Sequence, residues 1–363
     1  MLETPYVLIN EQKMKRNIVR MAEAVNHQGV QLRPHVKTHK IPDFAMLQLE
    51  AGAVGITVAK VAEAEIMASH GITDIFVAYP IVVPSKIKRV IQLARTIRII
   101  VGVDSLEGAK RLSEAAIESD ISLEVRLEID TGLYRTGIAQ EKALELALQI
   151  QQLSNLRLTG IFTYRGAMLK GLPTLDIRQA GLEEGLLMAT LANELRVNGI
   201  EVTDVSVGST PTGLSAAEVQ GVTEVRPGTY VFHDRMQTQL GVCSLEEVAA
   251  AVIATIVSMP SEDRLIIDGG SKTFATDVQP GNKPLDLVGF GYIVNAPGAV
   301  LERMNEEHGI ITIDKGHSFQ IGDTLEIIPN HICSTINLHN QVYLQKNDHT
   351  IEKIIVLGRG MLH

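Results

Sequence analysis

Tryptophan is absent from this 363-residue chain, cysteine occurs twice and aromatic residues make up only 4%. Cys243 and Cys333 are too few for a disulfide framework, which points to a reducing compartment. The core must come from aliphatic side chains, and a hydrophobic fraction of 45% supplies them. No uninterrupted run of about 18 apolar residues exists, so no membrane span is expected. Cationic excess is also missing. Lys and Arg total 33 against 42 Asp and Glu, and the net charge of −9 argues against nucleic-acid partners. No Gly-x-Gly-x-x-Gly follows an early strand, which weakens a dinucleotide-binding reading. The segment Met1-Leu2-Glu3-Thr4-Pro5 lacks the basic and apolar regions of a signal peptide, so a soluble, cytoplasmic protein is expected.

The first two-thirds of the chain alternates short β-branched runs with longer amphipathic ones. Strands are expected at 31–36, 54–59, 74–79, 97–103, 123–129, 158–163, 204–207 and 224–230. Helices are expected at 11–28, 42–51, 60–70, 84–95, 106–118, 140–153 and 174–198. The first helix places Met14, Ile18, Met21 and Val25 on one face. Eight strand runs, each followed by a helix or turn, predict an α/β fold of the (β/α)8 TIM type, with a doubly wound sheet as competitor. Beyond about residue 240 short strands follow one another without long helices: 252–257, 265–268, 309–313 and 325–328. They predict a smaller C-terminal β domain, to which 6–9 adds a strand. The expected division is a barrel over 10–240 and a β domain from 1–9 and 241–363.

Chemistry in such a barrel collects at the C-terminal ends of the strands. The segment Arg33-Pro34-His35-Val36-Lys37-Thr38-His39-Lys40 ends the first strand and gathers cations around Lys37. A desolvated lysine among cations is a nucleophilic amine able to hold a carbonyl compound as a Schiff base; the plain alternative is a solvated basic loop. Gly208-Ser209-Thr210-Pro211-Thr212 ends the seventh strand. Its backbone N–H groups and hydroxyls suit a phosphate, or form an ordinary capped turn. In Pro329-Asn330-His331-Ile332-Cys333, a strand would present His331 and Cys333 on one side. Imidazole and thiolate together suit Zn²⁺ and leave coordination positions open, as catalysis requires. The plain alternative is a buried cysteine beside a capped histidine.

The lysine segment resembles the pyridoxal-phosphate motif of the D-threonine aldolase and D-serine dehydratase family, of the alanine-racemase-like fold class. The likeness continues in order through Ala59-Lys60-Val61-Ala62-Glu63-Ala64-Glu65, Asp130-Thr131-Gly132, Gly208-Ser209-Thr210-Pro211, Arg226-Pro227-Gly228-Thr229-Tyr230, Asp268-Gly269-Gly270-Ser271-Lys272, Glu306-Glu307-His308-Gly309 and Pro329-Asn330-His331-Ile332-Cys333. The resemblance implies that Lys37 carries pyridoxal 5'-phosphate and that Tyr164 packs near it. It implies that Gly208, Ser209, Thr210 and Tyr230 hold the phosphate and that Arg135 reaches the phenolic oxygen. It also implies that His331 and Cys333 bind a divalent metal, Zn²⁺ first, with Mn²⁺ or Mg²⁺ as alternatives.

Two departures bear on the reaction. Aldolases of that family carry a histidine base shortly after a Tyr-x-Gly motif, whereas here Tyr164-Arg165-Gly166 is followed by Ala167-Met168-Leu169-Lys170. They also tend to place Asp where Cys333 stands. The resemblance therefore implies a metal-dependent lyase acting on D-3-hydroxy amino acids, favoured as a dehydratase forming a 2-keto acid and ammonia. Retro-aldol cleavage to glycine and an aldehyde is the alternative. An amino-acid racemase and a non-catalytic pyridoxal-phosphate carrier rank lower. The expected partners are a small D-amino acid and a second copy in a homodimer, with the site between barrel and β domain.

Overall fold

A computed structural model describes residues 2–363, and the chain divides into two compact units. One comprises Val19–Lys37, Ile41–Gly228 and Met361–His363. The other comprises the N-terminal stretch through Ile18 together with Thr38–Lys40 and Thr229–Gly360.

The first unit holds eight parallel strands: Gln31–Leu32, Ile56–Val58, Asp74–Pro80, Arg98–Val103, Leu123–Asp130, Leu156–Phe162, Asp204–Val207 and Glu224–Val225. From the second to the eighth, each pairs with its sequence neighbour, and the eighth pairs with the first through Glu224 opposite Gln31. The remaining gap, between first and second strands, is closed by a parallel bridge from His35 to Thr57. Thr57 also donates its N–H to Pro34 at 2.8 Å, and Val54 donates to Leu32 at 2.9 Å. The sheet is thus a closed (β/α)8 barrel, as expected.

The first and eighth strands are shorter than their hydrophobic runs predict. Pro34 and Pro227 have no N–H to give a ladder, so each run leaves the sheet there. The chain then winds into single 3-10 turns, Val36–Thr38 and Thr229–Val231. The expected helix at 140–153 likewise opens as a 3-10 turn, Gln140–Lys142, before Ala143–Gln151. The helix Glu11–His27 buries Met14, Ile18, Met21 and Val25, the face its period predicts.

Inside the barrel Phe76, Ile100 and Phe162 pack together. Beside them lies a buried ionic cluster. Glu224 takes the Arg33 Nε at 2.7 Å, the Arg126 guanidinium at 2.6 Å and the Ser206 hydroxyl at 2.5 Å. Arg33 also pairs with Asp74, and Arg226 donates to Ser206 and to the Thr163 carbonyl. Burial alone would raise the Glu224 pKa, but Arg126 and Arg33 hold it well below the usual carboxylate range. Arg33 and Arg126 are paired with Glu224 and Arg226 is hydrogen-bonded, the condition for tolerating ions in a core.

In the second unit Ala250–Ser261 is the central strand. It pairs antiparallel with Tyr6–Asn10, Arg264–Ile267 and Thr324–Pro329. Tyr6–Asn10 pairs in parallel with Gln341–Gln345, so the N-terminal run is a strand of this unit. Gly291–Ile293, Val300–Met304, Gly309–Thr312 and Ile351–Ile355 complete the sheet.

Candidate active site

Lys37 sits in the Val36–Thr38 turn just beyond the first barrel strand. Its backbone N–H donates to His35 Nδ1 at 3.3 Å. Its Nζ stands 5.3 Å from the Tyr164 ring centroid, and the Arg135 guanidinium stands 5.2 Å from the same ring. Three residues from the ends of the first, fifth and sixth strands therefore meet at the barrel's C-terminal mouth. The loop carrying Arg135 is folded by Asp130, whose Oδ1 accepts the N–H groups of Gly132, Leu133 and Tyr134 at 2.9, 3.0 and 3.1 Å. Such an Asx arrangement is why Asp-x-Gly ends a strand here. Thr131 and Thr163 join the two loops, hydroxyl to hydroxyl, at 2.8 Å.

Gly208, Ser209 and Thr210 form one turn at the end of the seventh strand. Gly208 has φ +78°, and a Cβ there would meet Gly213 Cα at 2.8 Å. Only glycine lets the backbone close in this way. The turn is braced from behind. Glu184, fully buried on the helix Ile177–Val197, accepts the Gly208 N–H at 3.3 Å and the Thr212 hydroxyl at 3.2 Å. Ser209 bonds to the Thr212 hydroxyl at 2.8 Å, and Thr210 Oγ1 accepts the Gly228 N–H at 3.2 Å. Burial raises the Glu184 pKa against the pull of Arg165. Tyr230 lies fully buried in the turn Thr229–Val231, which belongs to the other unit than Gly208–Thr210.

In that unit the strand geometry expected for His331 and Cys333 is not found. The strand Thr324–Pro329 ends before them, and His331 is the N-cap of a short helix, Ile332–Ile336. Pro329 and the turn at Asn330 redirect the chain, so the first helical turn, not strand alternation, brings imidazole and thiol together. His331 Nδ1 lies 2.6 Å from Asp277 Oδ2, which also accepts the Ser334 hydroxyl at 2.8 Å. Burial would lower the His331 pKa, but Cys333 and Asp277 raise it well above its usual value. Burial would raise the Cys333 thiol, but His331 pulls it down. Thr38 and Thr229 place hydroxyls 3.1 and 3.4 Å from the Cys333 sulfur. Asp234, its pKa pushed up to about 6 by burial, accepts the Ile332 N–H at 3.0 Å and fixes the start of this helix.

Among the described residues, no cluster of three or more His, Cys, Asp or Glu side chains could hold a metal. His331 and Cys333 form a two-donor set with Asp277 oriented on the far imidazole nitrogen, as carboxylates orient metal-binding histidines. Asp277, Ser334, Asp234, Glu184 and Thr212 escaped the sequence reading. Asp277 stands 54 residues from His331, and no local pattern announces the pair.

The chain matches two family models in succession. "Alanine racemase, N-terminal domain" covers residues 9–236, and "Putative serine dehydratase domain" covers 249–345. The D-threo-3-hydroxyaspartate dehydratase of Delftia sp. (strain HT23) is 37% identical, over 92% of each chain. Its solved structure superposes with a TM-score of 0.89 over 98% of this chain and 97% of that one. The D-serine dehydratase of Dictyostelium discoideum is 31% identical, over 96% of this chain and 95% of the relative. A D-threonine aldolase from Filomicrobium marinum is 26% identical, with a TM-score of 0.89 over 100% of this chain and 97% of that one. The chain belongs to the family of alanine-racemase-like barrels joined to a serine-dehydratase-type domain. It is a pyridoxal-phosphate-dependent lyase of that family.

The residues present fit that cofactor. A lysine faces a tyrosine ring at the mouth, and a glycine turn too tight for a Cβ carries buried hydroxyls on the seventh strand. A thiol held low in pKa beside an oriented imidazole fits a divalent metal. One solved relative is titled a mutant D-threo-3-hydroxyaspartate dehydratase in the metal-free form.

Proposed function

We propose that this chain is a D-3-hydroxy amino acid dehydratase, acting as a homodimer and converting a substrate such as D-serine to a 2-keto acid and ammonia. The observation that carries dehydratase over aldolase is the base the chain lacks. No histidine stands between His39 and His70 or between His70 and His233, so the loops after the second to seventh barrel strands have none. Retro-aldol cleavage needs a base on the 3-hydroxyl proton, whereas elimination needs that oxygen to leave.

Lys37 would carry pyridoxal phosphate, Gly208, Ser209 and Thr210 would hold its phosphate with Tyr230, and Tyr164 and Arg135 would flank it. His331 Nε2 and Cys333 Sγ would hold a divalent ion, zinc by donor softness. When bound, the cofactor supplies an electron sink and the ion a Lewis acid for the 3-hydroxyl. The Lys37 amine takes the Cα proton of the D-configured substrate. Lys37 and Thr38 are consecutive, and the Thr38 hydroxyl touches Cys333, so one short turn bears the base and steadies the thiolate. Loss of the Cα proton and the 3-hydroxide leaves an enamine. Its hydrolysis returns the water and releases ammonia and the 2-keto acid.

Product analysis with D-serine, D-threonine and D-threo-3-hydroxyaspartate tests this reading. Keto acid with equimolar ammonia is expected. Glycine with an aldehyde would establish the aldolase instead.

A further inference from the structure

The ammonium of Lys60 stands 3.6 Å over the Tyr79 ring centroid. Lys60 follows the second barrel strand and Tyr79 lies near the end of the third, so both occupy the C-terminal mouth. His35 and Thr57 face each other in the bridge that closes the barrel. Lys37 and Lys60 leave those adjacent strands two and three residues beyond that pair. The two lysines therefore rise from neighbouring loops on the same rim.

Four other barrel cations are committed elsewhere, and Arg135 lies over the Tyr164 ring, where the reading above sets it against the cofactor. Arg33 and Arg126 are paired with Glu224, and Arg165 with Glu183 at 2.8 Å. Arg226 spends its guanidinium on Ser206 and Thr163. Lys60 makes no salt bridge among the described residues, and its ammonium rests on the tyrosine ring. A cation over an aromatic face keeps its remaining N–H donors for an anion. Its backbone is fixed, since Glu63 accepts the N–H groups of Ala59 and Lys60 at 2.8 and 3.3 Å. The following helix begins with Ala62 donating to the His363 carbonyl at 3.0 Å.

We infer that Lys60, seated on Tyr79, is the carboxylate subsite of the substrate. The inference rests on the functional reading above, because an amino acid held at Lys37 brings at least one carboxylate to this rim. Lys60 is a binding residue here, with no part in proton transfer.

Holoenzyme is titrated with D-alanine, D-aspartate and propan-2-amine, and the change in the cofactor's visible absorbance is followed. None of the three carries a hydroxyl beside the amine-bearing carbon, so each binds without elimination. Lys60→Ala is expected to weaken D-alanine and D-aspartate by about tenfold or more, the order of a lost charge-assisted hydrogen bond, and to leave propan-2-amine within about twofold. Lys60→Arg should recover part of the loss, and Tyr79→Leu should reproduce part of it. Weakening of D-aspartate alone would assign the subsite to a side-chain carboxylate; weakening of both assigns it to the α-carboxylate. Equal weakening of all three ligands, or of none, overturns the subsite. Absence of any response in the unsubstituted enzyme overturns the functional reading itself, which separates the two failures.

Discussion

The imidazole of His331 and the carboxylate of Asp277 are 2.6 Å apart, with the Ser334 hydroxyl closing on the same carboxylate oxygen. The contact occupies Nδ1 and leaves Nε2 as the nitrogen that would face a metal in the proposed site. Asp277→Ala should weaken divalent-metal affinity by about 10–100-fold, the usual cost of losing such an orienting partner. Competition against a chromophoric chelator measures this. Unchanged affinity would mean that the pair is structural only.

Lys37→Ala should abolish the borohydride-reducible adduct with pyridoxal phosphate and the activity together. Peptide mapping of the reduced, unsubstituted protein should find the label on Lys37. A label on Lys40 instead would reassign the Schiff base.

Gly208→Ala should loosen the phosphate turn. Its φ of +78° and the 2.8 Å approach of Gly213 Cα leave no room for a methyl group. Left-handed geometry alone costs a non-glycine residue about 1–2 kcal/mol. Cofactor retention on dialysis should fall by about tenfold or more, while pyridoxal, which lacks the phosphate, should bind as before. Equal loss of both ligands would place the damage outside the phosphate turn.

Glu224→Gln should destabilise the barrel by about 3–5 kcal/mol near neutral pH, because Arg33 and Arg126 would be left buried against an amide. The sign of its pH dependence follows from the depressed folded pKa. The ionised Glu224 contributes its full stabilisation above the unfolded value of about 4.3 and loses it as pH falls from there toward the lower folded value. Denaturant midpoints of the variant and the unsubstituted protein should therefore lie furthest apart at pH 7 and draw together below about pH 4. A constant gap across that range would show that Glu224 is not the group responsible.

Most barrel elements were legible because their signal is local. The strand Asp204–Val207 and the helix Leu106–Glu118 stand where their runs predict them. The errors fall where a proline interrupts a β-branched run, at Pro34 and Pro227, because hydrophobic pattern does not register a missing hydrogen-bond donor. His331 and Cys333 are adjacent by a different geometry from the one their spacing suggested. Two residues apart suits a strand, and the first turn of a helix also brings them together.

By itself the sequence determined the alternation of strand and helix, the aliphatic core and the motif series that marks the family. Each depends on residues close together in the chain. Only the tertiary structure decided what those residues meet. It set Lys37 and Arg135 over one tyrosine ring, Glu184 behind the Gly208 turn and Asp277 against His331. It also buried Glu224 among three arginines inside the barrel, a placement that composition alone would put on the surface. Such contacts join residues tens to hundreds of positions apart, and they exist only once the barrel has closed and the β unit has folded.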